Sequence, residues 1–139
     1  MPKKTTGKSA RPAQTAKSRP PKPLKNEAGD VLRSPCPLAC MLDVCGDRWT
    51  LLVIRDLFFG RSRFKDFSAS PEGIPTNILT DRLNRLIRHG LAEQVPAADG
   101  TQRMGYQLTE KGRALRPVLE AMRDWGLTWE PATRAEMQA

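Results

Sequence analysis

The segment GIPTNILTDRLNRLIRHG at residues 73–90 constrains the fold of this chain more than any other. Leu79, Leu83 and Leu86 recur at i, i+4 and i+7, so a rotation of about 100° per residue places them on one side of an α-helix. The same rotation carries Asn77, Asp81, Asn84 and Arg88 to the opposite side, with Thr80 and Arg85 on the flanks. One face therefore needs a core, and the other is polar with few acids. Pro75 suits the first helical position, Thr76 can cap orphan N–H groups, and Gly90 can close the helix at positive φ.

The neighbouring segments narrow the choice of fold. Leu38, Met41, Leu42 and Cys45 share one helical face between Pro37 and Gly46, and Trp49, Leu52, Val53 and Leu57 predict a second helix running to Phe59. Asp47 is placed to cap that second helix and Gly60 to end it. Phe64 and Phe67 mark a short helix over residues 62–68, joined by the SPEG turn to the helix described above. Beyond Gly90 the pattern changes to extended segments at residues 91–95 and 103–108. They flank Asp99-Gly100, a strong turn signal, which predicts a β-hairpin. Thr109 then caps a final helix whose stripe is Leu115, Val118, Leu119, Met122 and Trp125; Pro117 must bend or divide it, having no N–H and a ring that clashes with the preceding turn. Four helices, two strands and a helix in that order give an α+β, mainly helical class: a winged helix-turn-helix domain with a two-stranded wing and flanking helices.

The net charge of +8 on 139 residues is unevenly distributed. Residues 1–26 hold eight basic residues and no acid, so the remainder has 23 − 8 = 15 basic residues against 15 acidic ones. The overall basicity is thus weak support for a polyanion-binding fold, and local charge must carry the case. Residues 1–30, rich in Lys, Pro, Ser and Thr with few large apolar groups, read as a disordered basic tail, either solubilising or an electrostatic arm on nucleic acid. Residues 31–130 form the domain and residues 131–139 a flexible end.

No run approaches the 18 or so apolar residues of a membrane span, and no apolar segment follows the basic start as it would in a secretory signal. A soluble, cytoplasmic, nucleoid-associated protein is expected, its three cysteines reduced. Cys36, Cys40 and Cys45 lack a paired C-x2-C spacing, and His89, the single histidine, reads as a helix-dipole partner. The expectation is therefore no metal site, no cofactor and, without a catalytic constellation, no enzyme.

A helix presenting Thr, Asn and Arg suits a major groove, where Arg donates to guanine, Asn pairs with adenine and Thr offers a hydroxyl and a methyl. Thr76, Asn77, Thr80 and Asp81 are expected near base edges, with Asn84, Arg85 and Arg88 closer to phosphate. Arg63 and Lys65, beside Arg61 at the preceding helix, would grip the backbone, and Arg103 would reach duplex DNA from the wing. From Arg61 to His89 there are six Lys/Arg against three acids. The rival reading is a winged-helix protein-interaction module without specific DNA binding.

The run from Cys36-Pro37 through Trp49-Thr50-Leu51-Leu52, Arg63-Phe64, Gly73-Ile74, Leu79 with Arg82-Leu83, Gly90-Leu91, Tyr106 with Leu108-Thr109, and Trp125-Gly126 resembles the HxlR family of bacterial transcriptional regulators. The resemblance implies a homodimer on a pseudo-palindromic operator, built largely by the N- and C-terminal helices. Leu38, Met41, Leu42, Leu115, Leu119, Met122, Trp125 and Trp129 would form that interface, and the late apolar stripe independently asks for a partner. Some members of this family sense oxidants through a cysteine matching Cys36; the alternative for all three cysteines is a small buried hydrophobe. A small-molecule effector in a pocket at the dimer interface, lined by Trp49, Met122 and Trp125, is also compatible. Three residues depart from the family pattern: Asp47 where a second Gly is common, Gly105 where an acid often precedes the tyrosine, and Pro75 in place of a frequent Ser, which moves the expected cap onto Thr76.

Overall fold

The computed structural model describes residues 2–3 and 21–134. The expectations for residues 4–20 and 135–139 therefore lie outside the described residues.

Pro37 at the first helical position and Gly46 past the last bound α1 (Pro37–Cys45) as the sequence predicts. The second helix, α2 (Thr50–Phe58), begins after a turn in which the Asp47 carboxylate accepts from the Trp49 and Thr50 amides at 2.9 and 3.2 Å. Trp49 itself holds the cap position, so Asp47 serves these amides from the turn before the helix rather than as the cap residue the sequence suggested. Next come α3 (Phe64–Ser68) and α4 (Thr76–Arg88), separated by a turn in which Gly73 has φ 64°. No side chain caps α4: Pro75 holds the cap position, and Thr76, expected to cap, is already helical and accepts the Thr80 hydroxyl at its carbonyl. Thr76 already has helical backbone, so it does not take the extended conformation from which a cap hydroxyl reaches the following amides.

Strands β1 (Ala92–Pro96) and β2 (Met104–Leu108) pair antiparallel, from Ala92 opposite Leu108 to Pro96 opposite Met104. On the outer edge of β2, the Tyr106 amide donates to the Ser62 carbonyl at 2.8 Å, so the α2–α3 connector lies alongside the hairpin like a third strand. That approach crowds Gly105, where a Cβ would stand 3.2 Å from the Ser62 carbonyl oxygen. After the hairpin, the Thr109 hydroxyl accepts from the Gly112 amide and caps α5 (Glu110–Arg113). Pro117 then opens a separate α6 (Arg116–Trp129), the division expected of it.

The core gathers Val53, Ile54 and Leu57 of α2, Phe67 of α3, Leu79, Leu83 and Leu86 of α4, Leu91 and Leu108 of the hairpin, and Leu119 of α6. Burying each such side chain contributes about 1.5–3 kcal/mol. The three leucines predicted to face inward are at most 1% exposed.

Residues 24–30, placed in the tail on sequence grounds, form a hydrogen-bonded turn together with residues 31 and 32. Lys25 and Val31 make a β-bridge, Asn26 accepts from the Asp30 amide at 2.8 Å, and Gly29 takes φ 85°. The turn reaches the domain through Asp30 to Arg88 at 2.9 Å and Glu27 to Lys111 at 3.1 Å.

Candidate nucleic-acid interface

Because its leucines are buried, α4 presents the rest of its circumference outward. Thr76, Asn77, Thr80, Asp81, Asn84 and Arg88 are all exposed, as their rotation about the helix axis requires. These six form one continuous polar face. Lys65 on α3 and Arg103 at the entry to β2 are exposed as well.

The remaining cations occupy other places than expected. Arg85 turns inward, and its guanidinium donates to the Asp43 carbonyl near the end of α1; its Nε is buried without a hydrogen-bond partner. It ties α4 to α1 rather than lying toward the outer face, because the last carbonyls of a nearby helix attract a cation. Arg63 pairs with Asp99 and donates to the Thr101 hydroxyl at 3.0 Å, so it holds the wing turn against the start of α3. Arg61 donates to the buried Asp56 carboxylate at 2.9 Å and to the Ser70 hydroxyl at 2.6 Å. Arg88 remains exposed but carries Asp30 as a partner. The local excess of cations counted along residues 61–89 is therefore largely offset by acids from elsewhere: Asp30, Asp47, Asp56 and Asp99. Among the described residues, Lys65 and Arg103 have no ion-pair partner.

Two residues that local patterning assigned only to capping and pairing hold the face in position. Asp47 accepts from Arg82 Nε at 2.7 Å as well as from the Thr50 hydroxyl, and Arg82 also pairs with Asp81. The start of α2 is thereby fixed to the middle of α4. Burial opposes ionisation of Asp47, but the Thr50, Trp49 and Arg82 donors prevail and hold its carboxyl down at about 2. A similar link joins α2 to the turn before α4, where Arg55 grips Glu72 at 2.6 and 2.9 Å. That hydrogen-bonded pairing keeps the Glu72 carboxyl below its ordinary range. The signal for Asp47 was visible as a cap, but nothing local marked Arg82 as its partner 35 residues away.

The cysteines and His89 separate by burial. Cys36 is exposed immediately before α1, its amide donating to Ser34 Oγ, whereas Cys45 is buried. Burial, reinforced by Asp47 against an opposing pull from Arg85, pushes the Cys45 thiol up to about 11. His89 is buried, and burial together with Arg88 lowers its imidazole against the opposing effect of Asp30. A lowered imidazole favours the neutral ring, which offers the end of α4 less charge than a protonated one.

The predicted dimer residues divide into two groups. Leu119 belongs to the protomer core, and Met41 and Leu115 pack against that core. Leu38, Leu42, Met122, Trp125 and Trp129 remain exposed, Trp125 at 61% and Trp129 at 67%. Within the protomer, Trp49 lines a small cleft with Leu52, Phe67 and Ile74.

A family model described as HxlR-like helix-turn-helix matches residues 44–134. Rv3095, an uncharacterized HTH-type transcriptional regulator of Mycobacterium tuberculosis, is 39% identical over 90 residues, covering 65% of this chain and 56% of that protein. The chain thus spans about half the length of that relative. The crystal structure of PA1607, assigned as a transcription factor, has 42% identity and a TM-score of 0.65, covering 77% of this chain and 72% of that one. The reduced form of the transcriptional regulator YodB from Bacillus subtilis has 30% identity and a TM-score of 0.59, covering 72% of this chain and 100% of that one. YodB is also known in diamide-treated and quinone-bound structures. The matched residues include both helices of the helix-turn-helix and the wing, and begin after Cys36 and Cys40.

Proposed function

The chain belongs to the HxlR-like helix-turn-helix family, and from that premise we propose that it is a sequence-specific DNA-binding transcriptional regulator acting as a homodimer on a pseudo-palindromic operator. One observation carries the reading: α4 turns Thr76, Asn77, Thr80, Asp81 and Asn84 outward as one exposed face opposite three buried leucines, with the hairpin directly after it. Asn and Thr at the first two turns offer the donors, acceptors and methyl that distinguish base pairs in a major groove. Exposed Lys65, Arg88 and Arg103 are the cations assigned to phosphate contact in this reading.

The homodimer draws support from the exposed apolar side chains of α1 and α6. Large exposed apolar patches mark association surfaces, and a twofold pair would set two α4 helices about 34 Å apart on successive major-groove faces. Cys36 supports oxidant responsiveness: its thiol is accessible next to a helix N-terminus, and its relative YodB has diamide-treated and quinone-bound forms. Operator release by diamide that persists unchanged in Cys36→Ser would remove Cys36 from that role. A soluble cytoplasmic setting follows from the function, and no described helix is long and apolar enough to cross a membrane.

Selection of duplexes from a random pool, followed by binding at graded salt, tests the reading. We expect an enriched inverted repeat whose binding weakens with salt by about 0.9 log units per phosphate contact per decade. A pool that shows no enrichment, with captured protein partners instead, favours the interaction module.

A further inference from the structure

A cleft of about 170 Å³ opens where α1, the end of α4, the start of the hairpin and α5 meet. Met41, Val44, Leu91 and Leu115 form its apolar walls, and the buried Cys45 and His89 also line it. Lys111 stands at its edge, where Nζ donates to the His89 carbonyl and to Glu27 Oε2, both at 3.1 Å. Burial keeps the Cys45 thiol protonated and the His89 ring neutral near pH 7, so Lys111 is the single formal charge among the lining residues. Glu27 is highly exposed, its side chain 88% accessible, and its hold on Lys111 is that of a surface pair. An apolar cavity of about 150 Å³ suffices to hold benzene. The space here therefore suits one ring, and the ammonium at its edge suits an anion.

We propose that this cleft binds a small carboxylate borne on a single aromatic ring or an aliphatic group of similar size, with the apolar part between Met41, Val44, Leu91 and Leu115 and the carboxylate on Lys111 in place of Glu27. Three of the surrounding elements matter to the rest of the molecule. α1 carries exposed apolar groups for a partner, α4 carries the polar face, and the turn at residues 24–32 is held by Glu27 and Asp30. A ligand here touches α1 and the residue that caps the end of α4, and replaces the Glu27 contact by which the turn holds Lys111. A change in DNA affinity on occupancy rests on the DNA-binding reading above; the binding itself does not.

The test is a titration of the full chain with benzoate, followed by amide chemical shifts, with neutral benzamide as the control. Benzoate shifts the amides of Val44, Cys45, Leu91 and Lys111 saturably, and benzamide binds about ten-fold more weakly for want of a charge-assisted hydrogen bond. Lys111→Met weakens benzoate to the same extent, and Glu27→Gln, which removes the competing carboxylate, tightens it. Absence of saturable shifts at these amides, equal binding of benzamide, or unchanged binding by Lys111→Met overturns the proposal. The benzamide comparison needs no variant and so stands even if Lys111→Met fails to fold. Duplex affinity measured on the same samples keeps the two readings apart. Benzoate binding without duplex binding preserves the cleft and removes the regulator, and duplex binding without benzoate binding does the reverse.

Discussion

Asp47 and Arg85 show how single side chains position the outward face without belonging to it. The Asp47 carboxyl is held at about 2 against an ordinary 3.8, so the folded state prefers it ionised. Its contribution, about 2 kcal/mol by the shift, is fully present above about pH 4 and is lost as pH falls toward 2. Thermal melts should show Asp47→Ala destabilised by that order at neutral pH, with the gap to the parent chain closing in acid; a gap independent of pH would remove the ionised network. Arg85 carries a different expectation from the one its sequence position suggests. Because its guanidinium serves the Asp43 carbonyl, Arg85→Ala should cost about 1–3 kcal/mol of stability, chiefly through the unsatisfied carbonyl it leaves. Any loss of DNA binding should then track unfolding; a stable variant with weakened binding would return Arg85 to the phosphate contacts.

Among the elements, the boundaries of α1, α2, the hairpin and the divided final helix were legible in the sequence, because Pro37, Gly46, Asp47, Thr109 and Pro117 act on their immediate neighbours. The outward face of α4 was legible for the same reason, since helical rotation alone separates Asn77 and Asn84 from the leucines. The destinations of the arginines were not. Arg82 finds Asp47 35 residues away, Arg63 finds Thr101 at a separation of 38, and Arg88 finds Asp30 at 58. No periodic pattern encodes pairings at such distances. The Arg63–Asp99 link gives the wing its own test. Asp99→Ala should speed amide exchange at Thr101, whose amide donates to Asp99 at 3.1 Å, and should weaken duplex binding several-fold. Its effect on global stability should stay below about 1 kcal/mol, as for exposed ion pairs. Unchanged exchange and binding would mean the wing holds its position without Arg63.

For the whole molecule, the charge map changes where nonspecific affinity must come from. With Arg61, Arg63 and Arg82 paired internally, the folded surface has few uncommitted cations near α4, while residues 1–26 retain eight basic residues without an acid. Removing residues 1–20 should therefore flatten the salt dependence of duplex binding while leaving the selected sequence unchanged; an unaltered slope would make the tail a bystander. Association has a separate signature. Trp125→Glu places a charge within the exposed apolar stripe of α6 and should convert a dimer to a folded monomer in sedimentation; a parent chain that is already monomeric at micromolar concentration contradicts the twofold arrangement.

Sequence selectivity in this protein depends on the outward face of α4 reading base edges. It is tested most directly by duplex binding of Asn77→Ala and Thr80→Ala to the selected operator and to single-base variants of it. We predict unchanged melting temperatures with discrimination reduced by about 1–3 kcal/mol at one base pair for each direct contact removed. Full affinity and unaltered discrimination in both variants would contradict the claim.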